Sequence, residues 1–201
     1  MKVVIIGASG TIGAEVVSAL SAKHEIVQVG RSSGDYQVDL MSKESIKALF
    51  EAIGECDAVV SAAGQAKFGP LESLTDEDFQ FSLSNKLMGQ VNLVRVGLAC
   101  VRDNGSFTLT TGVLAQNPMP GSAAISLVNA GVEGFMRAAA LEAPRGIRVN
   151  VVSPPWVSET LVAMGQDGAG GLPAAQVARA YVESVESQRT GEVLDPQQFG
   201  G

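Results

Sequence analysis

The sequence predicts a single three-layer α/β/α domain built on a doubly wound parallel sheet. β-branched apolar runs recur along the chain with helical segments between them. The runs are continuous rather than alternating, as strands covered by helices on both faces require. In addition, GASGTIG at residues 7–13 follows the first run directly and opens a helix, which places a tight glycine turn at a strand end.

KVVII at 2–6 is the first strand, and the residues behind Gly7 predict a helix over 12–22. EIVQVG at 25–30 is the second strand and YQV at 36–38 the third. The few residues between them are fewer than a right-handed crossover helix needs, so this connection is expected as a bare loop. A helix over 42–53 leads to the strand CDAVVSAA at 56–63. One long helix is expected over 76–103, followed by the strand SFTLTT at 106–111, a helix over 122–143 that is apolar on nearly every side, and the strand RVNVVS at 148–153. TGEVL at 190–194 offers a last strand, and PQQFGG at 196–201 looks like a loose tail. No repeat, linker or low-complexity tract divides residues 1–201, which are expected to form one domain.

The composition, 46% hydrophobic and 17% charged over 201 residues, suits a globular domain that buries about 70% of its unfolded surface. A formal net charge of −7 argues against a nucleic-acid partner, because phosphate binding needs a basic surface. The apolar run in MKVVIIGASG is too short for a signal segment, and far short of the ~20 residues of a membrane span, so a cytoplasmic protein without membrane contact is expected. Cys56 and Cys100, distant in sequence and set among apolar residues, are expected as free thiols. His24 is expected at the surface, and no metal-ligand cluster is visible.

Gly7, Gly10 and Gly13 let the backbone turn sharply, and the N–H groups at the helix start, over Ser9, Thr11 and Ile12, are free to meet a pyrophosphate. The second strand ends in GRSSG at 30–34, where the adenosine ribose of a dinucleotide would lie. Arg31, Ser32 and Ser33 suit a 2′-phosphate, whereas a bare ribose calls for Asp or Glu, so NADP is expected over NAD.

The loop GASGTIG, the turn VDL, the SAAG after the fourth strand, the helix ending in VEGF and the segment RVNVVSPPWV together resemble the short-chain dehydrogenase/reductase family, over residues 2 to about 194. The resemblance implies a Rossmann fold, a nicotinamide cofactor and hydride exchange with a small carbonyl or alcohol. It also implies that Asp39, with Leu40 beside it, holds the adenine amino group. Ala62, Ala63 and Gly64 would pass under the adenosine ribose, and Pro154, Val157 and Thr160 would bracket the nicotinamide. There are departures: the second glycine stands at Gly10 rather than at the place of Thr11, and Ser61 replaces the usual Asn. Both leave room for the cofactor, since close backbone approach needs only small residues.

The family's catalytic pair, a Tyr and a Lys four residues later, is absent. Tyr36 and Tyr181 are the chain's tyrosines, with Leu40 and Val185 four residues on, and no lysine follows Lys86. Matching AGVEGF to the family helix puts Ile125 at the Tyr position and Asn129 at the Lys position. The family's Ser falls on Gly112, or on Thr111 with a shift of one. KLMG carries the Asn-x-x-Gly signature, so Lys86 rather than Asn85 stands at the family's Asn. Cation and amide have changed places, which suggests a rearranged site of Lys86, Thr111 and Asn129. Glu133, one turn beyond Asn129, is expected on solvent or at a subunit contact. The glycine-rich stretch after Trp156 would be a mobile substrate lid. Two functions remain open: an NADP-dependent oxidoreductase on a small-molecule substrate, or a non-catalytic NADP-binding redox sensor or partner subunit. The apolar helices 76–103 and 122–143, through which family members pair, imply a homodimer or homotetramer.

Overall fold

In the computed structural model, which describes residues 1–200, seven parallel strands form one sheet. In chain order the elements are β1 (Lys2–Ile6), α1 (Thr11–Ser21), β2 (Glu25–Gly30), β3 (Tyr36–Gln37), α2 (Lys43–Ile53), β4 (Cys56–Ser61) and α3 (Asp76–Ser82). A π-helical turn (Leu83–Met88) joins α3 to α4 (Gly89–Gly97), after which come β5 (Val101–Thr110), α5 (Ala123–Glu142), β6 (Arg148–Val152), α6 (Ser158–Ala163), α7 (Ala174–Glu186) and β7 (Val193–Leu194). The strand order is β3-β2-β1-β4-β5-β6-β7. The chain therefore winds outward from β1 to one edge, returns, and winds outward to the other. Between β1 and β4 the direction reverses, and that switch opens a crevice at the carboxyl ends of the strands.

β1 shows why both faces must be covered. Val4 and Ile6 join the core beneath α2, α4 and α5, while Val3 and Ile5 join the core beneath α1 and α7, and all four are buried. The β2–β3 connection is a bare loop, as expected. It closes through Gly34 at φ +97°, where an added Cβ would fall 2.6 Å from Gln28 O, and through Asp35, whose carboxylate accepts the Gln28 N–H at 2.8 Å.

Several expectations need correction. The helix expected over 76–103 is three pieces, opened by a capping box between Thr75 and Asp78, and it ends at Gly97. β5 begins at Val101 and so takes residues 101–103, which had been assigned to that helix. The structure adds α7, which the sequence did not predict and which closes one face of the sheet with Val177, Ala178, Tyr181 and Val185. The lid stretch contains α6, tied back by the Val157–Leu172 bridge. Residues 196–199 of the expected loose tail form a 3-10 turn capped by Asp195, with Pro196 buried. His24 is only partly at the surface: the residue is half-buried, its side chain is 9% exposed, and Nε2 lies 3.0 Å from Glu186. Cys56 and Cys100 are free thiols, and burial pushes the Cys56 thiol up to about 12.

Candidate active site

The glycine turn is shaped by what a side chain would strike. Gly7 has φ +83°, and a Cβ there would come within 2.7 Å of Ala62 O; a Cβ on Gly13 would fall 1.9 Å from Gly7 O. Gly10 caps α1 without a side chain, and no acidic residue stands in the first turn. The positive end of the helix dipole is thus left to the solvent side of the turn.

A groove of about 590 Å³ runs along the carboxyl edge of the sheet. Gly7, Ser9, Gly10 and Thr11 form one wall, and Ala62, Ala63 and Gly64 the floor. Arg31, Asp39 and Leu40 line one end, and Thr160 also contributes. Ser33 Oγ donates to Ser9 Oγ at 3.2 Å, which joins the β2–β3 loop to the glycine turn. Asp39 is braced by its own surroundings: Oδ1 accepts from Met41 N at 2.9 Å, and its N–H donates to Ser45 Oγ at 3.0 Å. Five expected cofactor residues lie off this lining. Ile12 packs into the core, Gly13 is buried beneath the turn, Ser32 is exposed in its loop, Val157 is buried, and Pro154 belongs to a second cavity.

The second cavity, about 140 Å³, is lined by Lys86, Thr111 and Asn129 together with the apolar residues Val113, Leu114, Ile125, Pro154, Pro155 and Trp156. It adjoins the groove, because Gly64, on the groove floor, lies against the Lys86 stem: a Cβ there would come within 3.2 Å of Lys86 Cα and Cγ. The π-helical turn makes this possible. Gly89 N–H bonds Ser84 O, five residues back, and in the widened turn Asn85 lines the groove while Lys86 lines the cavity.

Lys86 is 8% exposed, and its Nζ reaches Thr111 O at 3.5 Å. Burial holds its ammonium down at about 8, from an ordinary 10.5. Asn129 is 1% exposed, and its Oδ1 is buried without a hydrogen-bond partner. Gly112 leaves room for this amide, since a Cβ there would stand 3.1 Å from Asn129 Nδ2.

Thr111 lines the cavity, yet its hydroxyl donates to Asn129 O at 3.0 Å and lies 3.4 Å from Glu133 Oε1. With its one proton so engaged, it has none to donate to a substrate oxygen. Glu133 is buried, contrary to expectation, and its Oε2 accepts from Gln116 Nε2 at 3.2 Å and Arg137 at 3.1 Å. Two residues escaped the sequence. Buried Gln90 donates to Thr110 O at 2.9 Å and accepts from Thr110 N at 2.7 Å, which fixes the start of α4 to the end of β5. Asn85 Oδ1 accepts from Gln65 N at 2.7 Å and braces the segment after Gly64. A glutamine four residues past Lys86 on the same helix was the available signal for Gln90.

Glycine turn, switch point and groove together define a nucleotide-binding α/β protein of the Rossmann type. The chain belongs to the short-chain dehydrogenase/reductase family of oxidoreductases: residues 2–193 match the family model described as enoyl-(acyl carrier protein) reductase. It is similar to the structure of protein lin1944 from Listeria innocua, with a TM-score of 0.93 and 44% identity over 97% of this chain and 98% of that one. Among curated proteins it is 31% identical over 160 residues to the hydroxynaphthalene reductase arp2 of Aspergillus fumigatus. That match covers 77% of this chain and 56% of the relative, little more than half of the latter's length. A small-chain dehydrogenase crystallised in complex with NADPH shares the fold, with a TM-score of 0.86 and 24% identity over 97% of this chain and 95% of that one.

Proposed function

We propose that the chain is an NADP-dependent oxidoreductase that acts on a small carbonyl or alcohol through a rearranged site centred on Lys86. The observation that carries this is the burial of the Lys86 ammonium in a small cavity that adjoins the groove, beside an amide whose Oδ1 has no partner. The residues fit the cofactor. The glycine turn admits no Cβ, the first turn of α1 is uncapped, and Asn129 Oδ1 is free to accept from a ribose hydroxyl. Arg31 favours a 2′-phosphate, and Asp35, the acid in the same loop, is engaged at Gln28. The small-chain dehydrogenase with NADPH supports the capacity of this fold for that cofactor.

NADPH, when bound, supplies a hydride. Lys86 Nζ–H stabilises the negative charge that develops on the carbonyl oxygen and gives up the proton that completes the alcohol. A group with a pKa near 8 suits that exchange at neutral pH. Thr111 positions Lys86 through its carbonyl rather than acting through its hydroxyl. Replacing Arg31 with alanine tests the cofactor assignment: NADPH affinity should fall about tenfold to a hundredfold while NADH affinity holds, as the loss of a charge-assisted bond implies. Equal loss for both cofactors, or none, contradicts it.

The second reading, a non-catalytic NADP sensor or partner subunit, is favoured by the engaged Thr111 hydroxyl and the missing Tyr-Lys pair. On either reading we place the chain in the cytoplasm as a single domain that pairs with further copies of itself. Exposed Leu127 and Leu141 on α5, at 49% and 89%, support pairing.

A further inference from the structure

The Lys86 ammonium carries three N–H donors, and one of them meets Thr111 O at 3.5 Å, longer than a good N–H···O bond. Among the described residues no carboxylate lies within ion-pair distance of it. Glu133, the acid behind the cavity, is already held by Arg137 and Gln116. A buried charge without a counter-charge is costly, and truncation or neutralisation is its usual fate. Here the charge stands at the wall of a cavity whose other walls are mostly aliphatic and aromatic. Such a cavity asks for a ligand with one anionic end and an apolar body. Its volume of about 140 Å³ bounds the body. A cavity of about 150 Å³ takes a benzene-sized molecule, about six heavy atoms.

Resting on the oxidoreductase reading for its chemistry, we propose that this cavity binds a short, apolar 2-oxo acid, with its carboxylate and its keto oxygen both on Lys86 Nζ, and that the chain interconverts it with the 2-hydroxy acid. Of the oxo acids that fit, the 2-oxo acid alone sets its carboxylate and keto oxygen on adjacent carbons, and two N–H donors of the ammonium remain for them. In the reducing direction C2 would take a hydride, which NADPH would supply on becoming NADP⁺; the C2–O double bond becomes single, O2 takes the proton of Lys86, and the neutral amine regains its proton from solvent. Val113, Ile125 and Trp156 bound the alkyl chain, which sets the length limit.

The test is calorimetric titration of the cofactor-free protein with 2-oxobutanoate, its methyl ester and butanone. The free acid should bind at least tenfold more tightly than the two neutral probes. Lys86→Met should abolish that preference, with NADPH affinity retained as evidence of folding. Ile125→Trp, which enlarges a side chain that lines the cavity, should abolish binding of the acid while leaving Lys86 in place. Equal affinity for acid and ester, a preference that survives Lys86→Met, or no binding of the acid overturns the inference. Turnover of butanone with no preference for the acid also overturns it, but leaves the oxidoreductase reading standing. If NADPH fails to bind, that reading falls, and the cofactor-free titration still decides whether the acid site exists.

Discussion

At the scale of single residues, Lys86 carries an energetic signature as well as a chemical one. Its pKa is depressed in the fold, so between about pH 8 and 10.5 the unfolded chain binds the proton that the folded chain gives up. The penalty for burying the charge is fully present below about pH 8 and fades as pH rises towards 10.5. Lys86→Met should therefore be more stable than the parent at pH 7 by roughly 1–3 kcal/mol, with the gap narrowing by pH 10. Chemical denaturation at the two pH values measures this, and the difference between the proteins removes the opposing titrations of Cys56 and Tyr181, whose pKa values burial raises. A gap that widens with pH would contradict it. The meeting of Lys86, Thr111 and Asn129 was legible in the sequence because the Asn-x-x-Gly and VEGF signatures fix two helices against one strand. The engagement of Thr111 was not, since it depends on a backbone carbonyl of α5 and on Glu133, one turn further along.

At the scale of elements, the strands were legible and one helix was not. Runs buried on both faces mark β1, β4 and β6 with little ambiguity, whereas β2 is marked by buried Val27 and Val29 and leaves Glu25 and Gln28 exposed. α7 was missed although its buried residues Ala174, Val177, Ala178, Tyr181 and Val185 recur at helical spacing, because they follow a glycine-rich stretch read as a lid and stand beside small or polar ones, Ala180 and Ser184 among them. They answer a polar strand: Ser184 Oγ pairs with Thr108 Oγ1 at 2.7 Å, and Tyr181 OH with Thr110 Oγ1 at 2.6 Å. Tyr181→Phe should cost about 1 kcal/mol in thermal or chemical unfolding, because Thr110 Oγ1 still donates to Ser61 O. The π-helical turn was equally hidden, as nothing in LSNKLM distinguishes it from an ordinary helix. The glycine turn, by contrast, admits a sharp test. Gly13→Ala drives a Cβ into a backbone oxygen that no rotamer change can clear, so it should cost about 1–3 kcal/mol and weaken NADPH binding together with stability. Unaltered melting and cofactor affinity would show that the turn yields.

At the scale of the whole molecule, the reversal of winding between β1 and β4 positions the groove, and the loop without a crossover helix after β2 brings Arg31 to its edge. If copies pair through α5, light scattering should report a multiple of the 20.7 kDa chain, and Leu127→Lys should shift it to the monomer. The central claim is that Lys86 performs chemistry at a cofactor site rather than decorating a sensor. It is tested most directly by following NADPH oxidation by the purified protein over a panel of small ketones, aldehydes and 2-oxo acids, the parent against Lys86→Met. The parent should turn over at least one of them, and the variant should lose about a hundredfold to ten-thousandfold in rate at unchanged NADPH affinity. Undiminished turnover in Lys86→Met, or tight NADPH binding by a parent that reduces none of the panel, would contradict it.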